Sequence, residues 1–419
     1  MRSLVALFAL VPVVSLAACD DEPTAPTCDP TVPGTICTIA GDGNNGYSGD
    51  DGPATAARLS LPQDVLRAPD GVLYILDWNN HRIRSLPGDG TIRHVAGRGE
   101  LGGTLDDPAN TDLNHPSGLA LHPDGTRMEI AAWHNSKLRT IDLRTGEITD
   151  SCGDGRRAYF GDGGPALTAT LDLPASLAYT ASGELIVMDQ ANQVMRKIDT
   201  AGTITRLAGR CVIDAPAPAG PGVCPAGVQP TACPSPSGKF TCGNAATCGL
   251  PCTPGYAGDD GPALELRMGQ PFGQSADPAG RIVIDRAGTI FFADTANHVI
   301  RKIDTTGMVR RVAGTPMQSG YAGDGGAALQ ATLSNPVDLA LADDGTLYVA
   351  DVYNHCVRAI APDQTISTVA GICGQSGYSG DGGPPAAALL KRPYGIELAD
   401  GVLYIADTGN HAIRSIQLP

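Results

Sequence analysis

The chain of 419 residues has little of what several common protein classes require. Aromatic residues make up 5% of it, with two tryptophans, and 29 basic residues face 44 acidic ones for a formal charge of −15. A nucleic-acid partner calls for Lys- and Arg-rich surfaces that neutralise phosphate, so that class is disfavoured. Beyond one short N-terminal stretch, no apolar run is long enough for a spanning helix. Long helices of any kind are disfavoured as well, because 53 glycines and 33 prolines punctuate the sequence. Neither a Gly-x-Ser-x-Gly elbow nor a His-Glu-x-x-His pair occurs. What remains, at 42% hydrophobic residues, is a globular protein of many short strands and tight turns.

The first residues read as an address. Arg2 precedes an apolar run over residues 4–16, and Leu16-Ala17-Ala18-Cys19 sets small residues before a cysteine. The pattern resembles a bacterial lipobox and predicts a signal peptide over 1–18, with Cys19 becoming the lipidated N-terminus. A Pro/Thr/Asp-rich tether over 19–34 would then lead to the folded domain. Export to the cell envelope follows, with membrane attachment through lipid alone. Twelve cysteines agree with an oxidising compartment. Six of them crowd into an insertion over 211–255: Cys211, Cys224, Cys233, Cys242, Cys248 and Cys252. The insertion has no histidine and its spacing is irregular, so disulfides are favoured over zinc, with the pairing open.

Internal repetition is the strongest signal. A motif close to Asp-x-x-Asn-His-x-Ile-Arg recurs six times, over 77–84, 132–139, 189–196, 294–301, 351–358 and 407–414. Its asparagines are 55, 57, 105, 57 and 56 residues apart. The long interval is one repeat plus the Cys-rich insertion and an expansion near 272–279. Each unit reads as four strands, with an Asp-Gly hairpin between the first two (Asp70-Gly71, Asp124-Gly125, Asp344-Gly345). Four strands per repeat describe a propeller blade. The last unit stops after its third strand, while residues 35–41, Thr-Ile-Cys-Thr-Ile-Ala-Gly, match the fourth strand at 365–371. The fold class predicted is therefore all-β: a six-bladed propeller over 35–419, closed by its N-terminal strand and monomeric.

The Asn-His pairs Asn80-His81, Asn297-His298, Asn354-His355 and Asn410-His411 resemble the NHL-repeat family. A second motif, Tyr47-Ser-Gly-Asp-Asp-Gly-Pro-Ala, returns in variants from Tyr159, Tyr256, Tyr321 and Tyr378. This long-loop variety is similar to repeats of bacterial surface proteins and of the teneurin propeller. The second unit departs from it, with Ala132 in place of Asp and Ser136 in place of His.

Residues present in every blade are expected to serve blade geometry: Asp77, Asp294, Asp351 and Asp407; Asn80, Asn297, Asn354 and Asn410; His81, His298, His355 and His411; Arg84, Arg301, Arg358 and Arg414. The Asp would accept turn N–H bonds, the Asn would take left-handed backbone, and the Arg would pair with an acid. Strand order predicts one loop-rich, acidic and aromatic face that gathers the Asp-Gly-Gly loops with Trp78, His115, Trp133, His134 and Tyr353. That face is the expected site for a protein, peptide or glycan partner. No cofactor is required by this reading, although calcium on the Asp-rich loops fits their chemistry, and no metal ligand set is identifiable. The rival reading is a metal-dependent hydrolase or lyase with its site at the axial channel. The balance favours a non-catalytic binding or scaffold protein.

Overall fold

The computed structural model describes residues 28–103, 110–212, 252–272 and 276–418, and the backbone of two short strands, Pro230–Ala232 and Phe240–Cys242. The signal peptide, Cys19, the disulfide candidates Cys224, Cys233 and Cys248, and the side chain of Cys242 lie outside what is described. Among the described residues there is no α-helix long and apolar enough to cross a membrane. Helical structure there is limited to single 3-10 turns.

Six antiparallel sheets form the blades, four-stranded except that the two-residue strand Gly164–Pro165 adds to the outer edge of blade 3. The strands run outward from the axis in chain order apart from the outer strand of blade 6. Blade 1 comprises Asp64–Arg67, Leu73–Asp77, Arg82–Leu86 and Arg93–Ala96. Blades 2 to 5 repeat the pattern from Pro116, Pro174, Ile282 and Pro336. Blade 6 has Ile396–Ala399, Val402–Asp407 and Ala412–Gln417, and its outer strand is Ile36–Ala40 from the N-terminus. Ile36 pairs with Ile416 and Thr38 with Arg414, which closes the ring as the complementary ends predict. The Cys28–Cys37 disulfide and the bond from Gly34 N–H to the Gln417 carbonyl fasten the preceding segment to the same blade. Apolar side chains alternate along the strands and meet between blades, as where Ala406 and Ile413 of blade 6 face Val65 and Ile75 of blade 1.

The repeated residues form one bonding unit. In five blades the motif Asp is fully buried, and its Oδ1 accepts the backbone N–H of the segment entering the same blade. Its Oδ2 accepts the amide of the motif Asn, at 2.8 Å for Asp77–Asn80 and 2.9 Å for Asp294–Asn297. That Asn amide also donates to a carbonyl of the incoming loop, Gly46 for Asn80 and Gly255 for Asn297. The left-handed conformation expected of the Asn belongs instead to the next residue: His81, His298, His355 and His411 have φ between 53° and 59°. The Asn needs its amide aimed inward, so the reversal of chain direction falls one position later.

All six motif arginines are 0% exposed. Arg301 donates through Nε to Asp259 at 2.9 Å, through Nη1 to Asp294 at 3.0 Å, and through both terminal nitrogens to the carbonyls of Arg267 and Ala257. Arg84, Arg196 and Arg358 reproduce the set with Asp50, Asp162 and Asp324, while Arg414 reaches Asp381 and the Ser379 carbonyl through Nη2. These second acids come from the Tyr-x-Gly-Asp loops, whose tyrosine rings lie 4.6–5.4 Å from the guanidinium carbons. Burial pushes the Asp294 carboxyl up to about 6, opposed chiefly by Arg301. Removing one member of such a set leaves a buried charge uncompensated, at a cost of about 3–5 kcal/mol.

This bonding corrects the expected place of the Gly-Asp-Gly-Gly loops. They do not crowd onto the loop face; each descends as a wedge between blades. In the first, Gly41 N–H reaches the Ala54 carbonyl near one end, and Asp51 N–H reaches the Ile92 carbonyl at the far end of the outer strand. Ala54, Ala57 and Leu59 need burial and find it in the gap between blades 6 and 1. Gly49 permits the contact, since a Cβ there would lie 2.7 Å from the Ala57 Cα. Blade 2 has a different entry, and Arg139 pairs with Asp150 of its own outer strand instead.

In four blades the histidine fastens its blade to the next. Nδ1 of His411, His298 and His355 accepts the N–H of Leu61, Asn335 and Arg392 at 3.1 Å, and Nδ1 of His81 that of His115 at 3.3 Å. Gln193 plays the part in blade 3, where its Oε1 accepts the Gln270 N–H. Burial holds all four imidazole pKa values below the ordinary value.

Two outcomes follow. A chain that starts at residue 42 leaves the strand Ala412–Gln417 with an open edge. Sedimentation should find concentration-dependent association, and an unchanged, cooperatively melting monomer would count against N-terminal closure. His298→Gln should preserve the inter-blade bond, as Gln193 does, while removing a titrating acceptor. Because the folded-state pKa of His298 is depressed, its contribution is present above the unfolded value of about 6.5 and is lost as pH falls below it. Urea unfolding at pH 7.5 and 5.5 should therefore show wild type losing stability relative to the variant by at most about 1 kcal/mol.

Candidate binding face

The turns between second and third strands and the segments entering each blade emerge together on one face. Each entering segment carries an X-Pro step: Leu61, His115, Leu173, Gln270, Asn335 or Arg392 before a proline. All but Gln270 have positive φ. The backbone is thus held alike around the ring while the side chain at X varies, so this position gives each blade its own chemistry.

In blades 1 and 2 the varied positions gather four of the expected residues. The His115 ring lies 4.7 Å from Trp78, 4.3 Å from His81 and 4.7 Å from His134, and Trp133 stacks on His134 at 4.3 Å. Nδ1 of His115 is 3.0 Å from Asn114 Oδ1 and 3.1 Å from Nδ1 of His134. Burial, with His81 and His134 alongside, pushes His115 down to about 3, so it is neutral at physiological pH. Trp133 is a correction to the expected contact set. It is 1% exposed, packed on Leu173, Ala175 and Ala191, because the turn folds its large ring inward to fill the gap between blades 2 and 3. It supports His134 from below.

Tyr353 belongs to a second group, built from side chains that sequence reasoning missed. Asp277 Oδ2 accepts Tyr394 Oη at 2.6 Å and Tyr353 Oη at 3.2 Å, and pairs with Arg392 Nη2 at 2.7 Å. The Arg392 guanidinium also lies 5.0 Å from the Tyr353 ring. A cavity of about 240 Å³ opens here, lined in part by Asp277, Thr295, Tyr353 and Tyr394. Asp277 comes from the blade-4 expansion, which reaches several blades at once. Gln190 of blade 3 donates to the Pro271 and Asp277 carbonyls, and Ala276 packs with the Trp133 group. The two groups are therefore joined across the mouth of the ring. The available signal for Arg392 was its place in the X-Pro series.

The motif aspartates do not make this face acidic, since their carboxyls are buried beneath it. Charge instead collects in the axial channel, where one register position at or beside the start of each inner strand holds Asp64, Gly118, Ser176, Arg281, Asp338 and Gly395. Arg281 Nη1 is 2.6 Å from Asp64 Oδ2, which also accepts the Leu119 N–H. Asp338 Oδ2 accepts the Ile396 N–H of blade 6. Burial pushes Asp338 up to about 7 and nearby Glu397 up to about 8. These carboxylates lash neighbouring blades together. Among the described residues, no group of three or more His, Cys, Asp or Glu side chains is arranged to hold a metal.

Comparison with known proteins agrees with the repeat. The family model described as NHL repeat matches residues 333–360, across the first three strands of blade 5. Mouse teneurin-1 is 24% identical over 417 aligned residues, covering 92% of this chain and 13% of the teneurin. Mouse teneurin-3 is 25% identical with the same coverage. The chain thus spans about an eighth of the length of these relatives. Among solved structures, a Bacteroides thetaiotaomicron protein of unknown function superposes with a TM-score of 0.61 at 15% identity, covering 91% of this chain and 75% of that one. An auxiliary nutrient binding protein from the same organism gives 0.59 at 16%, with the same coverage. At such identities the structures share the fold. With its six blades, its Asn-His turns and the matched repeat model, this chain is an NHL-repeat β-propeller.

Proposed function

We propose that the chain is an exported, lipid-anchored binding or scaffold protein of the bacterial cell envelope that holds a protein, peptide or glycan on its loop-rich face. The observation that carries the reading is the joined pair of groups at the ring mouth. Trp78 and three histidines lie on one side, the Asp277–Arg392–Tyr353–Tyr394 group on the other, and a cavity of about 240 Å³ sits within the second. Tyrosine and arginine side chains held by mutual bonds lose little entropy on contact, which suits them to recognition. Export is supported by the disulfides Cys28–Cys37, Cys211–Cys252 and Cys356–Cys373. Of the insertion's six cysteines, Cys211 and Cys252 join its two ends, and among the described residues Cys152 is a buried free cysteine. The nutrient binding protein of like fold points the same way. The axial carboxylates, engaged by Arg281 and by backbone N–H groups of the next blade, favour binding over a hydrolytic site there.

A photo-crosslinking amino acid at position 353, expressed in cells, tests this. The reading expects a discrete adduct from 353 and none from position 286, an exposed residue in an Asp-Gly-type hairpin on the opposite face. Adducts from both positions alike, or from neither, would count against it. Cys19→Ala should release the protein from the membrane fraction.

A further inference from the structure

The opposite face carries a feature that the repeat does not explain. Between blades 2 and 3 lies a cleft of about 630 Å³, lined by His122, Asp124, Arg127, Glu129, Ser151 and Tyr179 among others. Glu129 lies in the second strand of blade 2, paired with Ala120 on one side and Thr140 on the other. The same register position holds Tyr74, Ile186, Phe291, Tyr348 and Tyr404 in the other blades. Five blades thus have an apolar or aromatic side chain where blade 2 has a carboxylate, and that carboxylate is 2% exposed.

We propose that this cleft binds a small organic cation bearing a primary ammonium group, with Glu129 as its counter-ion. The bonding around Glu129 sets the chemistry. Its Oε2 accepts Thr140 Oγ1 at 2.6 Å and the hydroxyl of Tyr179, which reaches over from blade 3, at 3.4 Å; Oε1 accepts the Ser151 hydroxyl. Among the described residues no basic side chain forms an ion pair with Glu129. Arg127, the basic residue of the lining, lies 3.6 Å from Asp124 instead. A buried carboxylate bonded only to hydroxyls, with Arg127 acting on it from a distance, is costly for the fold unless something else compensates it. An ammonium supplies the missing charge and can donate to the lone-pair site that the three hydroxyls leave open. Asp124 and Asp199 at the cleft add acidic charge, and Tyr179, with His122 set edge-on at 4.9 Å, offers an aromatic face to a cation. Burial raises the Glu129 pKa, which agrees with a group awaiting a cation.

The site is independent of the loop face, and calorimetry on the full propeller can separate the two. Glucosamine and cadaverine are the probes, with glucose as the uncharged control. Saturable binding of the two amines is expected, with glucose at least tenfold weaker. Glu129→Gln should weaken amine binding at least tenfold. Glu129→Tyr, which restores the residue of blades 1, 5 and 6, should abolish it and raise the melting temperature. Thr200→Trp, at an exposed rim position, blocks the cleft without touching the buried carboxylate and should also abolish binding, whereas Tyr353→Ala should not. No saturable amine binding, equal affinity for glucose, or affinity unchanged in Glu129→Gln would each overturn the proposal. So would amine binding that survives Thr200→Trp, which decides the matter even if both Glu129 variants fail to fold.

Discussion

The structure depends on a buried guanidinium. In blades 1, 3, 4 and 5 the motif arginine has no contact with water, yet its donors are met by the motif Asp of its own blade, a second Asp from the wedge loop, and carbonyls on both arms of that loop. A planar fork of five donors in fixed geometry can tie a strand to a folded loop in this way, and a lysine cannot. The wedge loop in turn fills the gap that opens between twisted blades as they fan out from the axis, with small side chains such as Ala54 and Ala57. Fixing the arginine therefore fixes the blade, the loop and the spacing to the preceding blade together.

A second set of contacts orders the blades around the ring. In four blades the left-handed histidine at the end of the 3-10 turn accepts an N–H from the X-Pro step of the next blade. Gln193 can replace it because only a side-chain acceptor at that height is needed. Once the backbone of each X-Pro step is held, its side chain is free to vary, and function resides in that variation. His115 and Arg392 occupy equivalent places in the ring, yet one joins an imidazole–indole group and the other a tyrosine–carboxylate group.

Much of the fold was legible because repetition makes each blade a control for the others. The missing fourth strand of the last unit and its match at residues 36–40 left one way to close the ring. The bonding roles were less legible. The Asn was expected in left-handed backbone, whereas its amide is committed to Asp and a loop carbonyl, so the following histidine takes that conformation. Trp133 was expected at the surface, because its burial depends on Leu173 and Ala175 of the next blade, about forty residues away. Asp277, Arg392 and Tyr394 were not found, since they come from two distant segments, one at 277 and one over 392–394, that meet only when the ring closes. The exception in blade 2, Glu129, stands out only after strand register shows that its counterparts are apolar or aromatic.

The central claim is that the arginine–aspartate contacts couple blade to wedge loop, beyond merely burying charge. A double-mutant cycle on Asp259 and Arg301, using Asp259→Asn and Arg301→Met with stability read by guanidinium unfolding, measures that coupling directly. The account predicts a coupling of about 2 kcal/mol or more between the two positions. Effects that add to within about 0.5 kcal/mol would show the two residues acting independently and would contradict it.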